Sequence, residues 1–158
     1  MSDKPMTDSS YKPIQSNPLP AKKKLLALIW RVVNMTLYRH SPFFCRAWRR
    51  WLLALFGAKI APTASPSRLA LIEHPWNLKM DGFASVGPNS WVYALDKITI
   101  GEKTCVGDGV KLLTGTHSVS DPHFGLVTAP LKIGACCWVA TSSTVLPGVT
   151  VGDGAVVG

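Results

Sequence analysis

The residues best suited to acid–base chemistry are concentrated in one stretch, Thr114-Gly-Thr-His-Ser-Val-Ser-Asp-Pro-His-Phe-Gly-Leu-Val-Thr-Ala-Pro130, which holds two of the chain's four histidines. A neutral imidazole near pH 7 can take the proton of a hydroxyl within hydrogen-bond reach and so turn it into a nucleophile. His117 is the first candidate for such a base, with His123 on the same stretch as the second. Asp121 could orient an imidazole through its other ring nitrogen, or could serve only as the turn-forming residue before Pro122. A catalytic zinc site would need three converging imidazoles. Beyond residue 59 only His74, His117 and His123 are available, and their spacing does not match such a site. The four cysteines, Cys45, Cys105, Cys136 and Cys137, lack zinc-knuckle spacing, and the adjacent pair makes a poor structural disulfide. They are read as reduced thiols, and the chain as cytoplasmic.

A loop histidine works only if something rigid holds it, and the flanking sequence supplies a repeat. Ile133, Val139, Val145, Val151 and Val157 fall six apart, and Cys137, Ser143, Val149 and Ala155, all small, follow four residues after the first four. Helices repeat at 3.6 residues and strands at two, so a period of six marks a parallel β-helix whose units bury their aliphatic residue only by stacking. Upstream, Ile100, Val106 and Leu112 keep the period, while Val86, Val92 and Ile98 keep it two residues out of register, and Ile60, Pro66, Ile72 and Leu78 more loosely. A β-sandwich has no such fixed phase. The fold class is therefore an all-β solenoid over residues 58–158. After Leu112 the next unit is due at residue 118, but hexads resume only at Ile133, so the histidine stretch is thrown out of the repeat. Such excursions usually carry function.

The first 59 residues carry a net charge of +9 and the remainder −1. This asymmetry points to an anionic partner. No recognition motif accompanies it, which argues against nucleic acid. Residues 1–21 are polar with four prolines and read as a disordered or extended tail. Residues 22–57 read as a basic, amphipathic helical segment. Its Leu25–Leu37 run resembles a signal-peptide core but is interrupted by Arg31 and Asn34 and is too short to span a bilayer. Ser41 is placed to cap a second helix, with Pro42 at its first position and Gly57 at its exit. Phe44, Trp48, Trp51, Leu52 and Leu55 share one face of that helix, away from Arg46, Arg49 and Arg50. The apolar face is expected either to cover the open end of the β-helix or to meet a membrane, with the arginines toward anionic headgroups.

The residues also carry a resemblance. Phe56-Gly-Ala-Lys-Ile60, His74-Pro-Trp-Asn-Leu78, Leu95-Asp-Lys-Ile-Thr-Ile-Gly101, Thr114-Gly-Thr-His117 with Ser120-Asp-Pro122, Thr128-Ala-Pro130, and Ile133-Gly through Trp138-Val-Ala140 span roughly residues 42 to 158. In order and spacing they resemble the hexapeptide-repeat acyltransferases, within them the colanic acid biosynthesis acetyltransferases. The resemblance implies a left-handed parallel β-helix with coils of about eighteen residues. It implies an acetyl-CoA-dependent O-acetyltransferase acting on a sugar hydroxyl of an exopolysaccharide or its lipid-linked precursor, without a metal. It implies a homotrimer with sites between neighbouring subunits. The basic N-terminal segment, taken with a lipid-linked precursor, adds the expectation of peripheral contact with the inner face of the cytoplasmic membrane. His117 matches the family's catalytic histidine, and Trp138 a tryptophan lining the acceptor site, with plain interface packing as the alternative for Trp138. Trp91 occupies the corresponding slot of an earlier hexad. Thr141 and Gly158 match donor-site positions.

Two departures stand out. Relatives carry Asn at Ala94, where it holds the acceptor hydroxyl; Asp96 is near in sequence but points elsewhere without a change of register. The chain also stops one residue into a hexad at Gly158, where relatives continue for about another coil, so its last coil reads as incomplete. Two further readings stay open: an inactive, truncated assembly protein and, less favoured, a zinc carbonic-anhydrase-like enzyme on the same fold.

Overall fold

A computed structural model describes residues 20–118 and 123–158. Most of the tail expected over residues 1–21 lies outside them. Residues from Lys59 onward form a three-sided parallel β-helix. One sheet stacks Lys59–Ile60, Leu78–Met80, Ile98–Ile100, Leu131–Ile133 and Thr150–Val151. The second stacks Ser65–Pro66, Ser85–Val86, Cys105–Val106, Trp138–Val139 and Val156–Val157, and the third Leu71–Glu73, Trp91–Tyr93, Lys111–Leu113 and Thr144–Val145.

The six-residue period has a direct cause. On each side two residues, two positions apart, point inward. In the second sheet these are a small residue (Ala64, Ala84, Thr104, Cys137) and then an aliphatic one (Val86, Val106, Val139), all buried in the prism. Where the small residue is polar, the next coil satisfies it. Thr104 Oγ1 donates to the Gly134 carbonyl at 2.6 Å, and Ser90 Oγ to that of Gly107 at 2.9 Å. Gly107 itself is required by stacking, because a Cβ there would lie 2.9 Å from the Val139 carbonyl oxygen. The corners turn through left-handed backbone at repeated places: Phe83, Lys103 and Cys136 after the first sheet, Asn89 and Ser142 after the second.

The coil length differs from the expected eighteen. Lys59 stacks on Lys79 and Lys79 on Thr99, a step of twenty, whereas Lys132 stacks on Thr150, a step of eighteen. The two extra residues sit between the third sheet and the first, at Pro75–Asn77 and again before Ile98. This explains the register break in the sequence, since Ile98 and Ile100 are both inward and fully buried. The histidine excursion is inserted at the same corner, between Leu113 and Leu131. All irregularity of the prism is thus gathered along one edge.

Two helices close the N-terminal end: α1, Ala21–Val33, continued by a π-helical turn at Asn34–Tyr38, and α2, Arg46–Leu55. Trp30 anchors α1, donating from Nε1 to the Ile72 carbonyl at 2.6 Å and packing on Phe56 and Tyr38. The expectations for α2 need correction. It begins at Arg46, and Ser41 does not cap it: the Ser41 hydroxyl donates to the Tyr38 carbonyl and accepts from Arg49. The facing of the helix is also rotated from the expected one: Leu52 is inward and Arg46 outward as expected, but Arg49 takes an inward place and most of the apolar face is left outside. Arg49, Leu52 and Leu53 are buried, while Phe44, Trp48, Trp51 and Leu55 point outward. The reason is that the Arg49 guanidinium finds four oxygen acceptors on its inner side, three in the Ser41–Phe43 approach to the helix and one, the Pro66 carbonyl, on the β-helix.

His74 gives the cap a dependence on pH. Its Nδ1 is buried without a hydrogen-bond partner, and burial lowers its pKa below the ordinary 6.5, with the nearby Glu73 opposing and Lys23 assisting. The folded protein therefore resists a proton that the unfolded chain accepts. The unfolded state binds more protons below pH 6.5, so stability is full above that value and is lost as pH falls toward the folded pKa. Thermal unfolding should show a lower Tm at about pH 5 than at about pH 7. His74→Asn, which tolerates the left-handed backbone there (φ 55°), should flatten the profile. An unchanged profile would assign the slope to other groups.

Candidate active site

The excursion forms an antiparallel hairpin, Gly115–His117 against Leu126–Thr128, with His117 opposite Leu126. Gly115 seats it on the prism: a Cβ there would come within 2.7 Å of Leu95 Cδ1 and 3.1 Å of Tyr93. The Thr114 hydroxyl ties its base to the corner, donating to the Tyr93 carbonyl at 2.8 Å and accepting from the Asp96 amide at 3.0 Å.

His117 is exposed at the end of its strand, and its ring is held on two sides. Nδ1 lies 2.8 Å from the Phe124 carbonyl oxygen, and the imidazole stacks on the Phe124 ring at 5.0 Å and 10°. A carbonyl only accepts, so Nδ1 carries the hydrogen, and in the neutral ring Nε2 then carries the lone pair. This is the tautomer a general base needs, with its basic nitrogen directed away from its anchor. Asp121, expected as the orienting residue, lies outside the described residues; among those described, the Phe124 carbonyl performs that task. Sequence reasoning missed it because a backbone oxygen has no residue signature. His123 sits one residue before this anchor.

Trp138 is 54% exposed on the outer surface of the second sheet, paired in register with Cys105 and Val156. That sheet is the side of the triangle opposite the edge bearing His117. One subunit therefore does not bring His117 and Trp138 together. Ala94 is fully buried, and its carbonyl, with that of Leu95, accepts from the Asn77 amide at 2.9 Å. The Asp96 carboxylate accepts from the Lys97 amide at 2.6 Å, so it is engaged in its own turn. Thr141 and Gly158 are exposed and lie in adjacent coils at the corner after the second sheet, where Ala140 N donates to the Val157 carbonyl at 2.7 Å.

A cleft of about 660 Å³ adjoins the hairpin. It runs between α1 (Leu28, Trp30, Arg31) and the irregular edge (Glu73, His74, Tyr93), and reaches Leu126, the partner of His117. Glu73 accepts from Trp91 Nε1 at 2.7 Å, which gives Trp91 an anchoring role. Sequence reasoning did not single out Glu73 or Tyr93, whose positions matter only once α1 is folded over them. Among the described residues no three His, Cys, Asp or Glu lie close enough to hold a metal ion.

Known structures share this architecture. The hexapeptide-repeat acetyltransferase VCA0836 of Vibrio cholerae O1 biovar eltor, solved with acetyl coenzyme A, superposes with a TM-score of 0.74 at 19% identity, over 86% of this chain and 74% of that one. A maltose O-acetyltransferase from Clostridium difficile 630 superposes with a TM-score of 0.69 at 18% identity, over 87% and 78%. These define the class of fold, a left-handed parallel β-helix of hexapeptide repeats. No family model matches the chain. It is, however, 40% identical over 130 residues to the Escherichia coli (strain K12) protein named "Putative colanic acid biosynthesis acetyltransferase WcaF", covering 82% of this chain and 71% of that protein. The chain belongs to the hexapeptide-repeat acetyltransferase family that includes WcaF.

Proposed function

We propose that the protein transfers the acetyl group of acetyl-CoA to a hydroxyl of a sugar, in an exopolysaccharide or its lipid-linked precursor, on the cytoplasmic side of the membrane. The observation that carries this is the state of His117: Nδ1 is committed to the Phe124 carbonyl, and Nε2 is left to accept a proton. In this reading the sugar hydroxyl attacks the thioester carbonyl carbon while Nε2 takes its proton. The tetrahedral adduct then collapses, the C–S bond breaks, and the imidazolium returns the proton to the departing thiolate. The products are an acetyl ester and free coenzyme A. The polar groups of the adjoining cleft, Glu73, Tyr93 and Arg31, suit the hydroxyls of a sugar. Both the donor and the sugar class are supported by relatives. The Vibrio cholerae protein was solved with acetyl coenzyme A, the Clostridium difficile one is named for maltose, and WcaF for colanic acid biosynthesis.

The test is thiol release from acetyl-CoA with a panel of free, nucleotide-linked and lipid-linked sugars, with mass spectrometry of the glycan. Acceptor-dependent release and an alkali-labile acetyl group are expected. Acetyl on an amine, or no acceptor dependence across the panel, would refute the reading.

The opposed placement of His117 and Trp138 supports a homotrimer in which His117 of one subunit meets Trp138 of its neighbour. Light scattering should give about three times the chain mass of 17.1 kDa. A monomer with full activity would exclude a shared site.

A further inference from the structure

The helical cap presents an apolar surface that the β-helix does not use. A surface helix ordinarily has one apolar stripe. Helix α1 has two. Trp30 and its neighbours face the prism, while Leu25, Leu28, Ile29, Val32 and Met35 recur at helical spacing on the other side, each at least 46% exposed. Helix α2 and its approach add Phe43, Phe44, Trp48, Trp51 and Leu55, between 40% and 78% exposed. The two stripes are joined: Trp48 Nε1 points at the Leu37 carbonyl at 3.4 Å, and Trp48 stacks on Trp51 at 5.1 Å. Scattered exposed apolar residues need no explanation, but a continuous patch does.

Charge indicates what covers it. No Asp or Glu occurs between Ser9 and Ile72, while Lys22, Lys23, Lys24, Arg31, Arg39 and Arg46 are all exposed around the patch. The two salt bridges among the described residues, Lys79–Asp81 and Lys103–Glu102, lie elsewhere. A second copy docking through this surface would bring like charges together, and interface cores are depleted in charge. An anionic bilayer matches both properties, because indole, aliphatic and basic side chains together are the composition of helices that lie in the headgroup region. No described helix is long and apolar enough to cross a membrane, so the fit is to lying in its surface.

We propose that the outer faces of α1, α2 and the approach to α2 dock the protein onto an anionic phospholipid bilayer by inserting the Leu25–Met35 stripe and the side chains of Phe43, Phe44, Trp48, Trp51 and Leu55 among the headgroups. Leu28 and Met35 also line the cleft beside the His117 hairpin, so the cleft opens at the lipid surface. The docking stands independently of the proposed acetyl transfer. It also differs from a purely ionic contact: salt should weaken binding without abolishing it.

The test is co-sedimentation of the full chain with vesicles of phosphatidylcholine and phosphatidylglycerol, against phosphatidylcholine alone. Binding should require the anionic lipid and persist in part at high salt. Combined Phe44→Ser, Trp48→Ser and Trp51→Ser should lower partitioning by about 100-fold. Lys22→Gln, Lys23→Gln and Lys24→Gln together should lower it by about tenfold to 100-fold. Circular dichroism should be unchanged, and in the aromatic triple Tm should fall only by the few degrees that the exposed Trp48–Leu37 bond and the Trp48–Trp51 stack are worth; a second triple, Leu25→Ser, Ile29→Ser and Val32→Ser, tests the other stripe. Wild-type protein that stays in the supernatant, or serine variants that bind as wild type does, would overturn the proposal. So would concentration-dependent self-association that the serine variants abolish while vesicles bind neither form.

Discussion

Replacing His117 with Ala is expected to lower kcat for acetyl transfer by about 10²–10⁴-fold, the range for loss of a positioned general base. The affinity for acetyl-CoA should change little, because the imidazole acts on the acceptor. The bond from Nδ1 to the Phe124 carbonyl makes the prediction sharper. His117→Gln could keep a hydrogen bond to that carbonyl but supplies no basic nitrogen, so it should be about as slow as His117→Ala. Phe124→Ala keeps the carbonyl and removes only the stacked ring, whose packing is worth about 0.5–1.5 kcal/mol. Its loss should therefore be roughly twofold to tenfold. Single-turnover assays with saturating donor separate these effects. Near-normal turnover in His117→Ala would move the base to His123 or to another mechanism.

The second large effect concerns the fold of the cap. Arg49→Met should destabilise the protein by about 3 kcal/mol, because it strips a buried charged donor from several acceptors at once. The guanidinium donates from Nη1 to Pro42 O at 2.9 Å and Ser41 Oγ at 3.2 Å, from Nη2 to Phe43 O at 3.0 Å, and from Nε to Pro66 O at 3.2 Å. Met preserves much of the stem volume, so the loss reports the hydrogen bonds rather than a cavity. For a chain of this size the expected fall in Tm is about 6–12 °C. Arg49→Lys should recover only part of this, since an ammonium cannot reproduce the planar fork. An unchanged Tm in Arg49→Met would mean that burying the charge costs as much as its bonds return. The same contacts explain why Arg49 is a poor choice for testing membrane charge: its removal would disturb the helix that carries the aromatic patch.

The hexads were legible because a solenoid core is built from local, repeated positions. Val139 and Cys137 are inward for the same reason that Val106 and Thr104 are, and one coil predicts the next. The place of the chemistry was legible too, since an insertion of residues 114–130 breaks a strict period. What the repeat could not reveal was geometry along the irregular edge. The twenty-residue step, the cleft between α1 and Glu73, and the Phe124 carbonyl behind His117 arise from segments that meet only after folding. The sequence also placed Trp48, Trp51, Leu52 and Leu55 on one broad face of a helix, because that follows from a 3.6-residue turn; Phe44, expected on the same face, precedes the helix that begins at Arg46. Which side faces inward was decided by the tertiary structure alone. The Arg49 guanidinium bonds the Ser41–Phe43 approach and the Pro66 carbonyl of the β-helix together, so this arginine went in with Leu52 and Leu53, and the aromatic residues were left outside.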